Sequence, residues 1–160
     1  MPFTPQQALQ RAIEHAARLG RPLVVLEALR TGYRWASERL HRFVLDGMAD
    51  NADAFARRPV LYHPFVERTE GSGSGLVEAL ARDAAVVVTD YFPTFIAPRQ
   101  TRRLRERIDA PVIAVDSCTI VPMAYISRAH PTARGFRTEA VAALPHFLHP
   151  VGNVEPRVRH

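Results

Sequence analysis

The stretch that most constrains the fold is Ala84–Pro93, AAVVVTDYFP. Val86, Val87 and Val88 form an unbroken β-branched run behind the charged pair Arg82 and Asp83. A short apolar run bounded in this way suits a strand buried on both faces, the usual state of a central parallel strand. Thr89, Asp90, Tyr91 and Phe92 follow at its carboxyl end, and Pro93 blocks further ladder pairing. Ligands of open parallel sheets sit just beyond strand carboxyl ends, so chemistry is expected here first.

The remaining segments alternate around this strand. Thr4-Pro5-Gln6-Gln7 has the form of a helix start, with Thr4 as N-cap and Gln7 as its capping-box partner. Leu9, Ile13, Ala16, Ala17 and Leu19 then keep helical spacing until Gly20. Leu23–Ala28 is a second apolar strand. Tyr33–Arg57 predicts the longest helix, with Trp35, Leu40, Phe43, Val44, Met48 and Phe55 on its apolar face. Pro59–Val66 is a third strand, which Pro64 either places at an edge or ends early. The loop Glu70–Gly75, a short helix Leu76–Arg82, an arginine-rich helix from Pro98 to Arg107 and a last strand Val112–Val115 complete the alternation. Such alternation predicts an α/β fold: a Rossmann-like three-layer sandwich with about four parallel strands and helices on both faces. Beyond Asp116 the pattern breaks, and only Thr132–Leu144 looks helical. The domain is expected over 1–148, with 149–160 as a tail.

Composition bounds the function more loosely. A chain of 160 residues suffices for one domain with its own core. No apolar run approaches membrane-spanning length, no signal peptide opens the chain, and a lone cysteine, Cys118, fits a reducing compartment. A cytoplasmic protein is expected. The net charge is +5, and all 21 basic residues are arginine. This permits phosphate or nucleic-acid binding without pointing to it.

Each candidate motif has a plainer alternative. The GSGSG stretch, residues 71–75, has the composition of a phosphate nest but lacks the Lys-Ser/Thr of a P-loop, and a flexible loop explains it as well. Arg99, Arg102, Arg103, Arg105 and Arg107 wrap around their helix, as a solvated surface does. His146 and His149 have metal-ligand spacing without a third ligand nearby, and Cys118 has no catalytic partner in sequence. No metal site and no catalytic set are expected. Asp90 and Asp116 each close a strand. Either could hold a ligand hydroxyl or merely cap the following turn.

The order of motifs carries more than any one of them. RPLVVLEAL (Arg21–Leu29), ASERLHRFVLDGM (Ala36–Met48), AAVVVTDYFP (Ala84–Pro93) and PVIAVDSCTIVPM (Pro111–Met123) together resemble the N-terminal domain of the DNA photolyase/cryptochrome family, nearest to class II photolyases and their bacterial relatives. TARGFR (Thr132–Arg137) and LPHFL (Leu144–Leu148) resemble the segment leading towards the flavin domain. The resemblance implies a Rossmann-like domain that holds a folate or deazaflavin antenna chromophore. FAD and lesion recognition belong to the family's other domain, so FAD is not expected in this chain, nor light-driven DNA repair or DNA binding by it alone. Expected partners are a separate FAD domain or a second copy. A small nucleotide-binding α/β protein is the alternative.

Under this resemblance the site residues are Glu27, Leu29, Asp90, Tyr91, Phe92, Asp116 and Ser117. Tyr91 and Phe92 would stack a planar ring, and the acids would accept hydrogen bonds from its polar edge. The family's sheet order also implies that the central strand is missing here. Either the gap closes, another chain fills it, or the domain does not fold stably; closure is expected, with Leu23–Ala28 pairing directly with Ala85–Thr89 and the ligand crevice lying near Ala28 and Asp90.

Overall fold

The computed structural model describes residues 7–148 and residue 156. Its elements run α1 (Gln7–Leu19), β1 (Val24–Leu29), α2 (Glu38–Phe55), β2 (Leu61–Val66), α3 (Leu76–Ala81), β3 (Val87–Tyr91), α4 (Ala97–Arg107), β4 (Val112–Asp116), a 3-10 turn (Met123–Tyr125) and α5 (Ala133–Phe147). This is the alternating α/β order expected of a Rossmann-like domain, with four parallel strands among the described residues. Thr4, Pro5 and the tail 149–160 lie outside the described residues, Pro156 apart.

Local chemistry sets most boundaries. Ser37 caps α2: its backbone is extended and its hydroxyl accepts the Leu40 N–H at 3.3 Å. The helix therefore starts at Glu38 rather than Tyr33, and Trp35 stands 68% exposed in the preceding loop. Phe43, placed by its spacing on the apolar face, is exposed, whereas Met48 and Phe55 are buried. Thr132 caps α5 by accepting the Gly135 N–H at 3.2 Å. That helix continues through Pro145 to Phe147, and the Leu148 N–H still reaches the Leu144 carbonyl at 2.8 Å.

The sheet differs from expectation. Among the described residues it consists of two separate parallel pairs, β1 with β2 and β3 with β4. Val24 pairs with Leu61 and Leu29 with Val66 in the first; Val87 pairs with Val112 and Tyr91 with Asp116 in the second. The expected closure of Leu23–Ala28 onto Ala85–Thr89 does not occur. Helix α1 joins the pairs instead. Its Ile13 and Ala16 are buried with Leu23, Phe55 and Val60, flanked by Val25 and Tyr62, while the same helix lies against β3 and β4. Its buried positions Ala8, Gln10, Ile13 and Ala16, taken at 100° per residue, span roughly half the helix circumference, wider than a single apolar stripe. A helix packed this broadly holds two half-sheets without any ladder between them.

Pro64 sits at an edge, as its missing N–H requires. The Leu61 N–H donates to the Leu23 carbonyl and the Glu67 N–H to the Leu29 carbonyl. Backbone groups alternate in direction along a strand, so those of Pro64 point away from β1, where no donor is needed.

Candidate functional site

The carboxyl ends of β3 and β4 bring together most of the expected site residues. Tyr91 and Asp116 are register partners, and the Ser117 hydroxyl donates to Asp90 Oδ1 at 2.8 Å across the pair. Asp90 is exposed and Tyr91 half-buried. Phe92 follows and stacks on Phe95, the rings parallel to within 4° at 6.4 Å between centroids. Phe95 itself is 87% exposed and holds a left-handed backbone, φ 57°. Such a conformation is uncommon for a bulky residue, and an unburied aromatic gains little to offset it.

Asp116 resolves towards the capping alternative. Its Oδ1 accepts the backbone N–H groups of Cys118 and Thr119, both at 3.1 Å. Its Oδ2 accepts the Thr119 hydroxyl at 2.6 Å and the Met123 N–H at 3.0 Å. Burial pushes this carboxyl up, but the bonds from Met123, Thr119 and Cys118 outweigh it and hold the group below its ordinary value. The carboxylate thus organises the loop from Ser117 to Met123, leaving Asp90 as the acid that faces solvent.

Glu27 and Leu29 belong to the other pair. Glu27 Oε2 accepts the Tyr62 hydroxyl at 2.6 Å and the Asn51 amide at 2.9 Å. Burial, then the hydrogen bond and charge of Glu27, raise the Tyr62 phenol well above its ordinary value, so it remains a neutral donor. Leu29 is buried at the end of β1. No hydrogen bond among the described residues links Glu27 to Asp90, Asp116 or Ser117. The crevice expected near Ala28 and Asp90 presupposed the β1–β3 pairing that does not form.

Two features escaped the sequence reading. Glu67 is a buried acid, 3% exposed, that accepts the Thr31 N–H at 3.0 Å and the Gly71 N–H at 2.8 Å. The Thr31 hydrogen bond is the foremost of the effects that hold its carboxyl below the ordinary value, with Gly71, Arg30 and Gly32 adding to it against the opposing effect of burial. Glu67 clamps the loop after β1 to the glycine-rich loop, where Gly71 adopts φ 84°. The anion held at the start of GSGSG is the protein's own carboxylate, which counts against a phosphate nest there. An acid directly after a predicted strand and ahead of a glycine-rich loop was the available signal. The second feature is an open groove of about 610 Å³ lined by Ala36, Ser37, Glu38, His41, Arg42 and Leu45. His41 Nε2 is buried there without a hydrogen-bond partner, and Tyr33 meets the ring edge-on at 5.6 Å. The groove depends on the helix starting at Glu38, capped by Ser37, a boundary that the apolar spacing from Tyr33 obscured.

The arginine helix α4 buries none of its side chains; Arg107 pairs with Glu78 at 3.1 Å and Arg102 lies 3.9 Å from Glu106. Among the described residues no group of three His, Cys, Asp or Glu side chains could hold a metal ion, and no helix is long and apolar enough to cross a membrane.

The element order and the strand-end cluster define a Rossmann-like α/β domain. No family profile matches the chain. It is distantly similar to the deoxyribodipyrimidine photo-lyase of Methanothermobacter thermautotrophicus, 29% identical over 145 residues, which is 90% of this chain and 32% of that protein. The chain therefore spans about a third of the length of the relative it matches.

Proposed function

We propose that this chain is the α/β domain of a photo-lyase-type protein and that it binds a planar chromophore or nucleotide at the carboxyl ends of β3 and β4. The observation that carries the reading is similarity to a photo-lyase along 90% of the chain, joined to the cluster of Asp90, Ser117, Tyr91, Phe92 and Phe95. These residues suit such a group: exposed aromatic rings offer a stacking surface, and the exposed Asp90 carboxylate accepts hydrogen bonds from a polar edge. A bound folate or deazaflavin would supply light absorption; the chain supplies orientation. Light-driven repair is not proposed for this chain alone, because it corresponds to a third of the relative.

The test is a fluorescence titration of the purified chain with a folate and with a deazaflavin. Asp90→Ala and Tyr91→Ala are expected to weaken whichever binds by at least about tenfold, or roughly 1.4 kcal/mol. Unchanged affinity in both variants would remove the site. Removal of cyclobutane dimers by the chain alone under blue light would overturn the division of labour.

A second reading is a module that docks in trans on a separate FAD-binding domain. It is favoured by α5, which keeps Val141 exposed and continues into an exposed Leu148. Co-purification with such a domain, lost on Val141→Asp, would support it.

A further inference from the structure

We infer that the loop of residues 92–96 and the outward side of α4 form a binding surface for single-stranded nucleic acid. Unpaired bases stack on Phe92 and Phe95, and phosphates lie on Arg99, Arg102 and Arg103. The inference goes beyond the ligand reading and shares with it only the two rings. It begins with how α4 is seated. The helix lies against β3 and β4, and its residues Ala97, Thr101 and Leu104 are half-buried. At 100° per residue, Arg99, Arg102, Arg103 and Arg107 fall within an arc of roughly 140° on the other side, with Arg105 at its margin. All five arginines are exposed, and Glu106 is the only acid within the helix. Little of this charge is used inside the chain. Arg107 pairs with Glu78 at 3.1 Å, and Arg102 lies 3.9 Å from Glu106 with both side chains well exposed. No hydrogen bond or ion pair engages Arg99, Arg103 or Arg105 among the described residues.

Exposed arginines alone make an ordinary solvated surface. The loop that leads into this one sets it apart. Phe95, Ile96 and Phe92 are all exposed, and α4 begins two residues after Phe95. The rings of Phe92 and Phe95 are parallel to within 4°, the orientation that stacked planar groups share. Phe95 also holds its left-handed backbone without burial to offset the cost. The surface thus combines positive charge with parallel aromatic faces. A polyanion of any kind is drawn by the charge, but only one with free planar faces also uses the rings. Bases within a duplex are covered by their neighbours, whereas those of a single strand are open to stacking. Stacking is available to every base, so little sequence preference is expected, and the shared chemistry admits both DNA and RNA.

The experiment is fluorescence anisotropy of labelled oligothymidylate and oligouridylate, each of about twelve nucleotides, with the full chain at about 50 and about 200 mM salt. Three phosphate contacts give a slope of log affinity against log salt near about −2, a loss of roughly twentyfold over this range. Phe95→Ala should weaken binding by about fivefold or more at unchanged slope. Arg99→Gln combined with Arg103→Gln should flatten the slope by about 1.4. Measurements on the unmodified chain cover the case of a variant that does not fold: a duplex and inorganic polyphosphate, matched in charge, should compete at least about tenfold less well than either strand. Binding of one strand and not the other supports the inference and identifies its source as DNA or RNA. Folate and deazaflavin titrations are read on Asp90 and Tyr91, so the ligand reading fails or stands separately. No binding of either strand, equal competition by duplex or polyphosphate, an unaltered affinity in Phe95→Ala, or equal competition by phosphatidylserine vesicles would each overturn the inference.

Discussion

The half built on β1 and β2 and the half built on β3 and β4 share one strand–helix alternation but not one quality of packing. The first contains Ile13, Leu23, Leu29, Met48, Phe55 and Val60, all buried, with Phe55 stacked on Tyr62 at 5.1 Å. It also holds the buried carboxylate of Glu67 with its loop amides satisfied. In the second, no residue of β3, β4 or the helix α4 packed on them is buried. What the second half has instead is chemistry at its strand ends: an exposed acid, a hydroxyl bonded to it, and stacked aromatic rings. Stability and candidate function are thus carried by different halves, and α1 is the element that makes them one domain.

The largest test of this contrast is Ile13→Ala. Ile13 is 1% exposed and lies on the helix common to both halves, so its truncation should cost about 2–5 kcal/mol. Denaturant unfolding followed separately on Trp35 fluorescence and on far-UV circular dichroism should shift together. Loss of the second half alone would show that α1 does not couple them.

Glu67 comes next. Its carboxyl is depressed in the folded chain, so its contribution is complete above the unfolded value of about 4.3 and is lost as pH falls through the lower folded value. Glu67→Gln should lower Tm at neutral pH and flatten the acid limb of the stability curve. An unchanged acid limb would show that the clamp contributes nothing to stability.

Asp116→Ala should cost about 1–2 kcal/mol by stranding the Cys118, Thr119 and Met123 donors, and should speed exchange only in the loop after β4. Faster exchange in β1 or β2 would contradict the separation of the halves. The smallest effect is expected at Phe95. Phe95→Gly relieves the positive φ while removing little burial, so stability should rise by up to about 1 kcal/mol. If Phe95 serves the proposed ligand, the same variant will bind it more weakly, and that opposed pair of changes separates a strained functional residue from an incidental one.

Much of this was legible in residues. The four strands follow their apolar runs to within a residue or two, Pro64 announced its edge, and Gly20 marked the end of α1. The start of α2 differs because Tyr33 lies seven residues before Leu40, at helical spacing, while the real signal is the short polar side chain of Ser37 beside Glu38. Of the site residues, Asp90, Tyr91, Phe92, Asp116 and Ser117 do gather at one pair of strand ends. Glu27 and Leu29 do not join them through any hydrogen bond, since they follow β1 into the other half.

Which segments become strands and helices follows from side-chain periodicity, β-branching and caps, which act over a few residues. Which strands pair is settled by long-range packing instead. Val24–Leu26 and Val86–Val88 are both apolar enough to meet, and nothing in their periodicity forbids it. The outcome turns on α1, whose alanines and Ile13 pack broadly enough to tie the two pairs together without a ladder between β1 and β3. Backbone edges carry no side-chain code for their partners, so the choice between one closed sheet and two separate pairs belongs to packing at long range.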